Sequence, residues 1–278
     1  MAGSISACRL ASAAAALAAA MSLAGAAAAG PKVFSLDQCA DQYVLALAPR
    51  ADVVGLSWRA RDGDSYMRAA ARGLPRHRAS LESVLASRPQ IVVREWGGAR
   101  LMFRRLAHWG VRVVEIDDAT DYAGVRANVR RVAAALGRPA AGEALIARMD
   151  AQLKAAHGAW RGRRALYLTP GGFTAGPGTL VGATLAAAGL TDAASGPGFS
   201  PTPLERLVLR PPEAAVLGFF DRASVRAQHW SQARSGVLIS LIRGRTIASL
   251  PGSILGCPAW FAADGAVAIG GAAGDRRP

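Results

Sequence analysis

From Lys32 onward the chain alternates short apolar, β-branched runs with stretches whose apolar residues recur every three to four positions. The first kind predicts strands and the second amphipathic helices. KVFSL, DVVGLS, IVVRE and VRVVEI are the predicted strands of the first half. Helices are predicted between them over ADQYVLALA, LESVLAS and ARLMFRRLAHWG. ATDYAGVRANVRRVAAALG follows as a further helix, with Thr120 as its start signal and Gly137 as its stop. Strands alternating with helices in this way predict an α/β fold with mainly parallel sheets.

The rhythm then breaks. PAAGEALIARMDAQLKAAHGAW, from Pro139 to Trp160, has proline in its first helical turn and contains no strand pattern. Leu145, Met149, Leu153, Ala156 and Trp160 fall on one apolar stripe, and a helix of this length would reach about 33 Å. Beyond it RALYLT, EAAVLGFF and RTIASL are predicted strands, and PGGFTAGPG is a glycine-rich loop. TLVGATLAAAGL, TPLERLVL, DRASVRAQHWSQA and PAWFAADGAVAIGG are predicted helices. The expected organisation is two Rossmann-like lobes, residues 30–138 and 162–278, joined by one rigid helix over 139–161.

Residues 1–29 precede the first strand and carry one early positive charge, Arg9, then an apolar run from Leu10 to about Leu23. An Ala-x-Ala pattern at Ala27 and Ala29 completes the signature of a cleaved secretory signal peptide. Export to the periplasm as a soluble protein is the expectation. Cys8 stands before the apolar run, which does not fit a lipid-anchoring cysteine. Cys39 and Cys257 remain after cleavage; an oxidising compartment makes them a candidate disulfide, with two isolated thiols as the alternative.

Composition changes little. The net charge is +14, yet the only lysines are Lys32 and Lys154 and no basic stripe is interleaved with aromatics, so no nucleic-acid partner is expected. The histidines His77, His108, His157 and His229 have no metal-ligand spacing. The glycine loop lacks both the GK[ST] ending and the GxGxxG spacing, and no GxSxG occurs. Neither a catalytic constellation nor a protein-held metal is predicted.

Aromatic placement carries more. Ligands of parallel α/β sheets sit outside the carboxyl ends of the strands. Trp58 and Trp96 directly follow predicted strands, Phe173 lies in the glycine loop, Phe220 closes another strand, and Tyr66 follows in the loop after Trp58. Arg59, Arg61 and Arg94 stand beside them and could meet carboxylates or phosphates bidentately. A cleft for a large flat or apolar ligand is the expectation, with Tyr66 and His77 as candidate ligands to a metal centre in that ligand and solvated loop residues as the alternative.

One short pattern occurs twice. LESVLASRPQ (81–90) and LERLVLRPPE (204–213) each predict a short helix, a proline and a strand, and each carries glutamate second, Glu82 and Glu205. Thr202 with Glu205 makes a capping box, whereas Ala79 fills the matching place before Glu82, leaving it only the helix dipole as a local role.

FSLDQCADQYVLAL, GLSWRARD, LESVLASRPQIVV, the helix at 139–160, FTAG, LERLVLRPPEAAV and the late Cys-Pro, in this order, resemble the periplasmic substrate-binding proteins of ABC importers for iron chelates, haem and vitamin B12. The resemblance spans nearly all of the chain after residue 29. It implies a monomeric bilobed receptor with a helical backbone, not an enzyme, and no cofactor besides its cargo, an iron- or cobalt-containing chelate (ferric siderophore, haem or corrinoid). It also implies that Glu82 and Glu205 dock against arginines of the inner-membrane permease. The second-lobe cysteine pair of the B12 receptor is not matched, since Gly189 and Leu190 stand near the first position, and this weakens a B12 assignment. A two-lobed periplasmic enzyme and a free zinc or manganese receptor are the alternatives.

Overall fold

Two parallel sheets organise the chain. In this computed structural model residues 30–97, 100–194, 196–221 and 236–274 are described. The predicted signal segment, and the helix expected from Asp221 onward apart from that first residue, lie outside them.

The first lobe contains β1 (Val33–Ser35), α1 (Gln38–Leu47), β2 (Val53–Ser57), β3 (Arg76–His77), α2 (Leu81–Ser87), β4 (Ile91–Glu95), α3 (Arg100–His108), β5 (Arg112–Ile116) and α4 (Tyr122–Ala135). Its strands run parallel in the order β3-β2-β1-β4-β5. After α5 (Pro139–Ala156) come β6 (Arg163–Leu168), β7 (Phe173–Ala175), α6 (Leu180–Ala187), β8 (Leu190–Asp192), β9 (Phe199–Pro201), α7 (Leu204–Leu209) and β10 (Ala214–Gly218). The lobe ends with α8 (Gly236–Ile242), β11 (Thr246–Leu250), α9 (Gly252–Leu255) and α10 (Ala262–Gly274). The second sheet is also parallel, in the order β11-β10-β6-β8, while β7 and β9 form a separate antiparallel ribbon.

The sheets share one topology. Strands β2, β1, β4 and β5 of the first occupy the places of β8, β6, β10 and β11 in the second. The repeated Leu-Glu helices, α2 and α7, each precede the strand that pairs with the first strand of its sheet, β4 beside β1 and β10 beside β6. Central strands are apolar because both faces are covered: Ile91, Val92 and Val93 are all buried, as are Ala165 to Leu168.

The connecting helix is shorter than its pattern predicts. Its 18 residues span about 27 Å and it stops at Ala156, where His157 leaves helical backbone and Gly158 follows at φ +68°. The reason is a close approach: a Cβ on Gly189 would stand 2.8 Å from the Gly158 Cα, so these two backbones pack directly. Trp160 continues the apolar stripe beyond the helix, buried, with Nε1 donating to the Ile269 carbonyl at 2.8 Å. Helix α5 packs against both α4 and α10. Gly142 permits the first contact, since a Cβ there would fall 2.6 Å from that of Ala133.

The chain's last part returns to the first lobe. Cys257, Ala259, Trp260 and Phe261 are buried in one core with Tyr43, Val44 and Val129. The Tyr43 hydroxyl donates to the Pro258 carbonyl at 2.5 Å, and the Trp260 ring meets Tyr43 edge-on at 5.3 Å.

Several local expectations change. Asp121, not Thr120, caps α4, accepting from the Gly124 N–H at 2.8 Å. The glycine loop holds a strand, β7. The capping box at Thr202 does not form: Pro203 occupies the N-cap, and the Thr202 hydroxyl donates to the Gly172 carbonyl at 2.8 Å. Helix α2 has the side-chain cap instead, Ser80 Oγ accepting from the Ser83 N–H at 3.2 Å.

Met149 is fully buried on α5. Met149→Ala is expected to lower unfolding free energy by about 2–5 kcal/mol in urea titration, whereas exposed Lys154→Ala on the same helix stays within about 0.5 kcal/mol.

Candidate functional site

The carboxyl ends of β1, β2, β4 and β5 face a cleft whose other wall comes from the second lobe. Two adjoining cavities occupy it, of about 300 and 280 Å3. The larger runs from Trp96 and Asp118 across to Thr179, Val181 and Phe199; the smaller lies among Asp37, Trp58, Arg59 and Asp64. Both are lined by Glu95, Gly256 and Cys257. Cys257 is bridged to Cys39 at the start of α1, with the Cα atoms 5.3 Å apart, so a disulfide between segments 218 residues apart lies where the cavities meet.

Three rings around the cleft are left to solvent: Trp58 is 57% exposed, Trp96 52% and Phe199 63%. Single exposed rings are ordinary, as Trp109 at 68% shows outside the cavity linings, but three grouped around one cleft form the kind of apolar patch that marks a binding site. Together with cavities between two lobes they define a receptor-like cleft for a small, partly apolar molecule.

Carboxyl groups dominate the electrostatics. Asp37 caps α1 and accepts from the backbone N–H groups of Ala40 at 2.8 Å and Glu95 at 2.7 Å. Burial raises its pKa, and those two hydrogen bonds oppose the rise. Behind it Asp41 is fully buried, accepting from the Ser57 N–H at 2.9 Å and the Ser57 hydroxyl at 2.5 Å. Burial pushes Asp41 up to about 7 despite these bonds. Glu95 also sits at about 7, raised first by burial and then by the neighbouring charges of Asp37 and Asp118, with Arg94 acting against them.

Two of the three arginines predicted to meet cargo are engaged elsewhere. Arg59 lines the smaller cavity but pairs with Asp62 at 3.3 Å and Asp64 at 3.2 Å. Arg94 is buried, donates to the carbonyls of Glu95 and Gly97, stands 3.4 Å from Glu115 and covers the Phe103 ring at 4.1 Å. Arg61 is exposed on the following turn.

Of the residues expected to bind ligand, Trp58, Arg59 and Trp96 line the cleft. Phe173 is exposed on β7 and does not line either cavity; Phe199, on the strand paired with it, does. Tyr66 belongs to a different cavity, of about 590 Å3, lined also by Leu145, Arg148 and Trp260. Its ring stacks on Phe261 at 4.2 Å and its hydroxyl donates to Asp264 at 2.6 Å, because the returning C-terminal segment offers it a partner. Phe220 packs against the second-lobe core cluster that contains Leu166, Leu168 and Leu207, after the chain turns through left-handed backbone at Phe219. His77 lies on β3 with its ring 5.5 Å from that of Phe34. His229 is outside the described residues. Sequence reasoning missed Glu95 and Phe199; the strand-end rule that found Trp96 marked Glu95, its neighbour, equally well. Among the described residues no three His, Cys, Asp or Glu side chains converge to hold a metal ion.

Glu82 and Glu205 are both exposed, each second in its helix. The carboxylate of Glu82 is held below the usual range by its own backbone N–H and the Ser80 hydroxyl. Without the capping box, Glu205 loses the local role expected of it.

A bilobed α/β fold with a ligand cleft between parallel sheets defines a solute receptor. The periplasmic binding protein model matches residues 33–218, more than half of the chain, and the chain belongs to that family of non-enzymatic receptors. Solved structures share the fold. The apo periplasmic heme-binding protein RhuT from Roseiflexus sp. RS-1 matches with a TM-score of 0.67 and 24% identity, over 87% of this chain and 99% of that one. A protein of an ABC-type Fe3+-hydroxamate transport system from Saccharomonospora viridis gives 0.64 and 19%, over 87% and 93% of the two chains. The vitamin B12 binding protein BtuF of Vibrio cholerae gives 0.61 and 13%, over 90% and 99%. No curated protein matches the chain by sequence.

The disulfide closes a loop of more than 200 residues, and cross-linking a loop that long stabilises by up to about 5 kcal/mol. Alkylation of the denatured, unreduced chain is expected to leave Cys39 and Cys257 unlabelled, and reductant to expose both. The Cys39→Ser/Cys257→Ser variant is expected to unfold at lower urea concentration.

Proposed function

We propose that this protein is the periplasmic receptor of an ABC importer and that its cargo is a metal chelate, of the ferric siderophore, haem or corrinoid kind. One observation carries the reading: the exposed indoles of Trp58 and Trp96 and the ring of Phe199 surround a cleft at the carboxyl ends of strands. Flat or apolar surfaces of a chelate would cover these rings. Fold relatives are a heme-binding protein, a protein of Fe3+-hydroxamate transport and a vitamin B12 binding protein, which supports the cargo class without choosing within it.

In this reading residues 1–29 are a signal peptide removed near Gly30, and export to an oxidising compartment suits the Cys39–Cys257 bridge. Residues 30–138 and 162–278 are the two lobes and 139–161 the connection between them. The permease is met through Glu82 and Glu205, one exposed carboxylate on the corresponding helix of each lobe. Val208 and Leu209, exposed beside Glu205, supply apolar surface for the same contact. Two carboxylates on rigid lobes fix orientation over a two-fold permease and speed encounter.

The cargo test is a visible absorption spectrum of the protein purified from its native periplasm. A Soret band identifies haem, a corrin pattern a cobalamin, and a broad charge-transfer band a ferric siderophore. A colourless protein whose tryptophan fluorescence ignores haemin, cyanocobalamin and a ferric trihydroxamate would overturn the reading.

For docking, Glu82→Ala with Glu205→Ala is expected to keep cargo affinity and reduce uptake through the cognate permease at least about tenfold. Undiminished uptake refutes that role.

A further inference from the structure

We infer that the cleft is built for a chelate bearing a positive charge or a face of hydrogen-bond donors, and that the Glu95 carboxyl is the group that recognises it. This inference rests on the cleft being the cargo site. It adds which chemistry the cleft favours.

Glu95 ends β4 immediately before the exposed Trp96, and it lines both cavities. Its backbone is fixed on two sides, the N–H donating to Asp37 at 2.7 Å and the carbonyl accepting from Arg94. No side chain among the described residues hydrogen-bonds or ion-pairs with its carboxyl group. A half-buried acid at the junction of two chambers, without a side-chain partner among the described residues, is placed to find one in the cargo.

The surrounding charges set the sign. Asp37 at the start of α1, Asp64 after β2 and Asp118 after β5 line the same cavities. Asp41 lies behind them on α1, hydrogen-bonded to Ser57. Of the cations nearby, Arg59 is held by Asp62 and Asp64, Arg76 donates to the Trp58 carbonyl at 3.1 Å, and Arg94 is buried among carbonyls and Glu115. The described lining from the second lobe brings Thr179 and Phe199 but no titratable side chain. The described lining of the cleft is thus acidic in a chain of net charge +14. A dicarboxylate porphyrin would meet carboxyl groups there, whereas an ammonium-bearing chelate would meet its complement.

The pH dependence follows. Burial, Asp37 and Asp118 hold Glu95 at about 7, and a cation prefers its ionised form. Affinity for a cationic chelate therefore rises between pH 6 and 8, by up to about tenfold from this one group.

The test uses two probes that differ by one charge: the ferric complex of a linear trihydroxamate with a terminal ammonium, and the same complex with that amine acetylated. Tryptophan quenching of the full chain at pH 8 is expected to show the ammonium complex binding at least about tenfold tighter. That ratio is expected to fall at pH 6, and to fall in Glu95→Gln at pH 8. Equal binding of the two complexes by the wild-type chain overturns the inference with no variant needed, and so does a ratio unchanged in Glu95→Gln. Tighter binding of haemin than of either complex also overturns it, while leaving a chelate receptor standing. If neither complex, haemin nor cyanocobalamin binds, the receptor reading fails and this inference with it.

Discussion

The return of the C-terminal segment to the first lobe is the contact on which the cleft depends. Connected by α5 alone, the lobes would be free to pivot about the glycines at 158 and 162. Instead Cys257 is bonded to Cys39, Pro258 accepts from Tyr43, Phe261 stacks on Tyr66, and Asp264 accepts from Gln152 on α5 itself at 2.5 Å. Tyr122 on α4 adds a bond to Thr184 on α6 at 2.8 Å. A hinge opening would have to break a covalent bond or strip a packed aromatic cluster from the core. The cleft therefore has a standing shape, and little ordering free energy is lost when something enters it.

That contact also explains what the sequence showed and what it hid. Strands buried on both faces declare themselves by composition, so β1, β4, β6 and β10 were legible, as was the doubled Leu-Glu pattern that marks corresponding places in the two sheets. Strands β3 and β8 lack the fully buried run that marks even the short β1, and owe their existence to a neighbour's edge. Caps slipped by one residue, because Ser80 and Asp121 each stand next to a residue whose role local pattern could not separate from theirs.

The candidate site divides the same way. A strand end tells where a side chain enters the cleft region, and Trp58 and Trp96 were found by that rule. It does not tell what else competes for the side chain. Tyr66 was claimed by Phe261 and Asp264, almost two hundred residues away, and Phe220 by a core that forms once the chain reverses at Phe219. Such competition is a property of tertiary contacts. Nothing within ten residues of either aromatic predicts it.

Charge shows most clearly why total composition and local chemistry part company. The arginines beside the strand-end aromatics were expected to meet carboxylates or phosphates, yet many of the chain's guanidinium groups serve the fold's exterior. Arg126 pairs with Asp150, Arg130 with Glu143 and Arg131 with Asp117, all at 2.6–2.8 Å. Exposed pairs of this kind each contribute about 0–1 kcal/mol, so they decorate α4 more than they hold it. Arg94 is the opposite case, a buried cation surrounded by acceptors, and its carbonyl partners help fix the turn that carries Glu95 and Trp96 into the cleft. An arginine there shapes the site without facing the cargo. The carboxyls of Asp37 and Glu95 beside it are both raised by burial, which removes the water that would otherwise screen them.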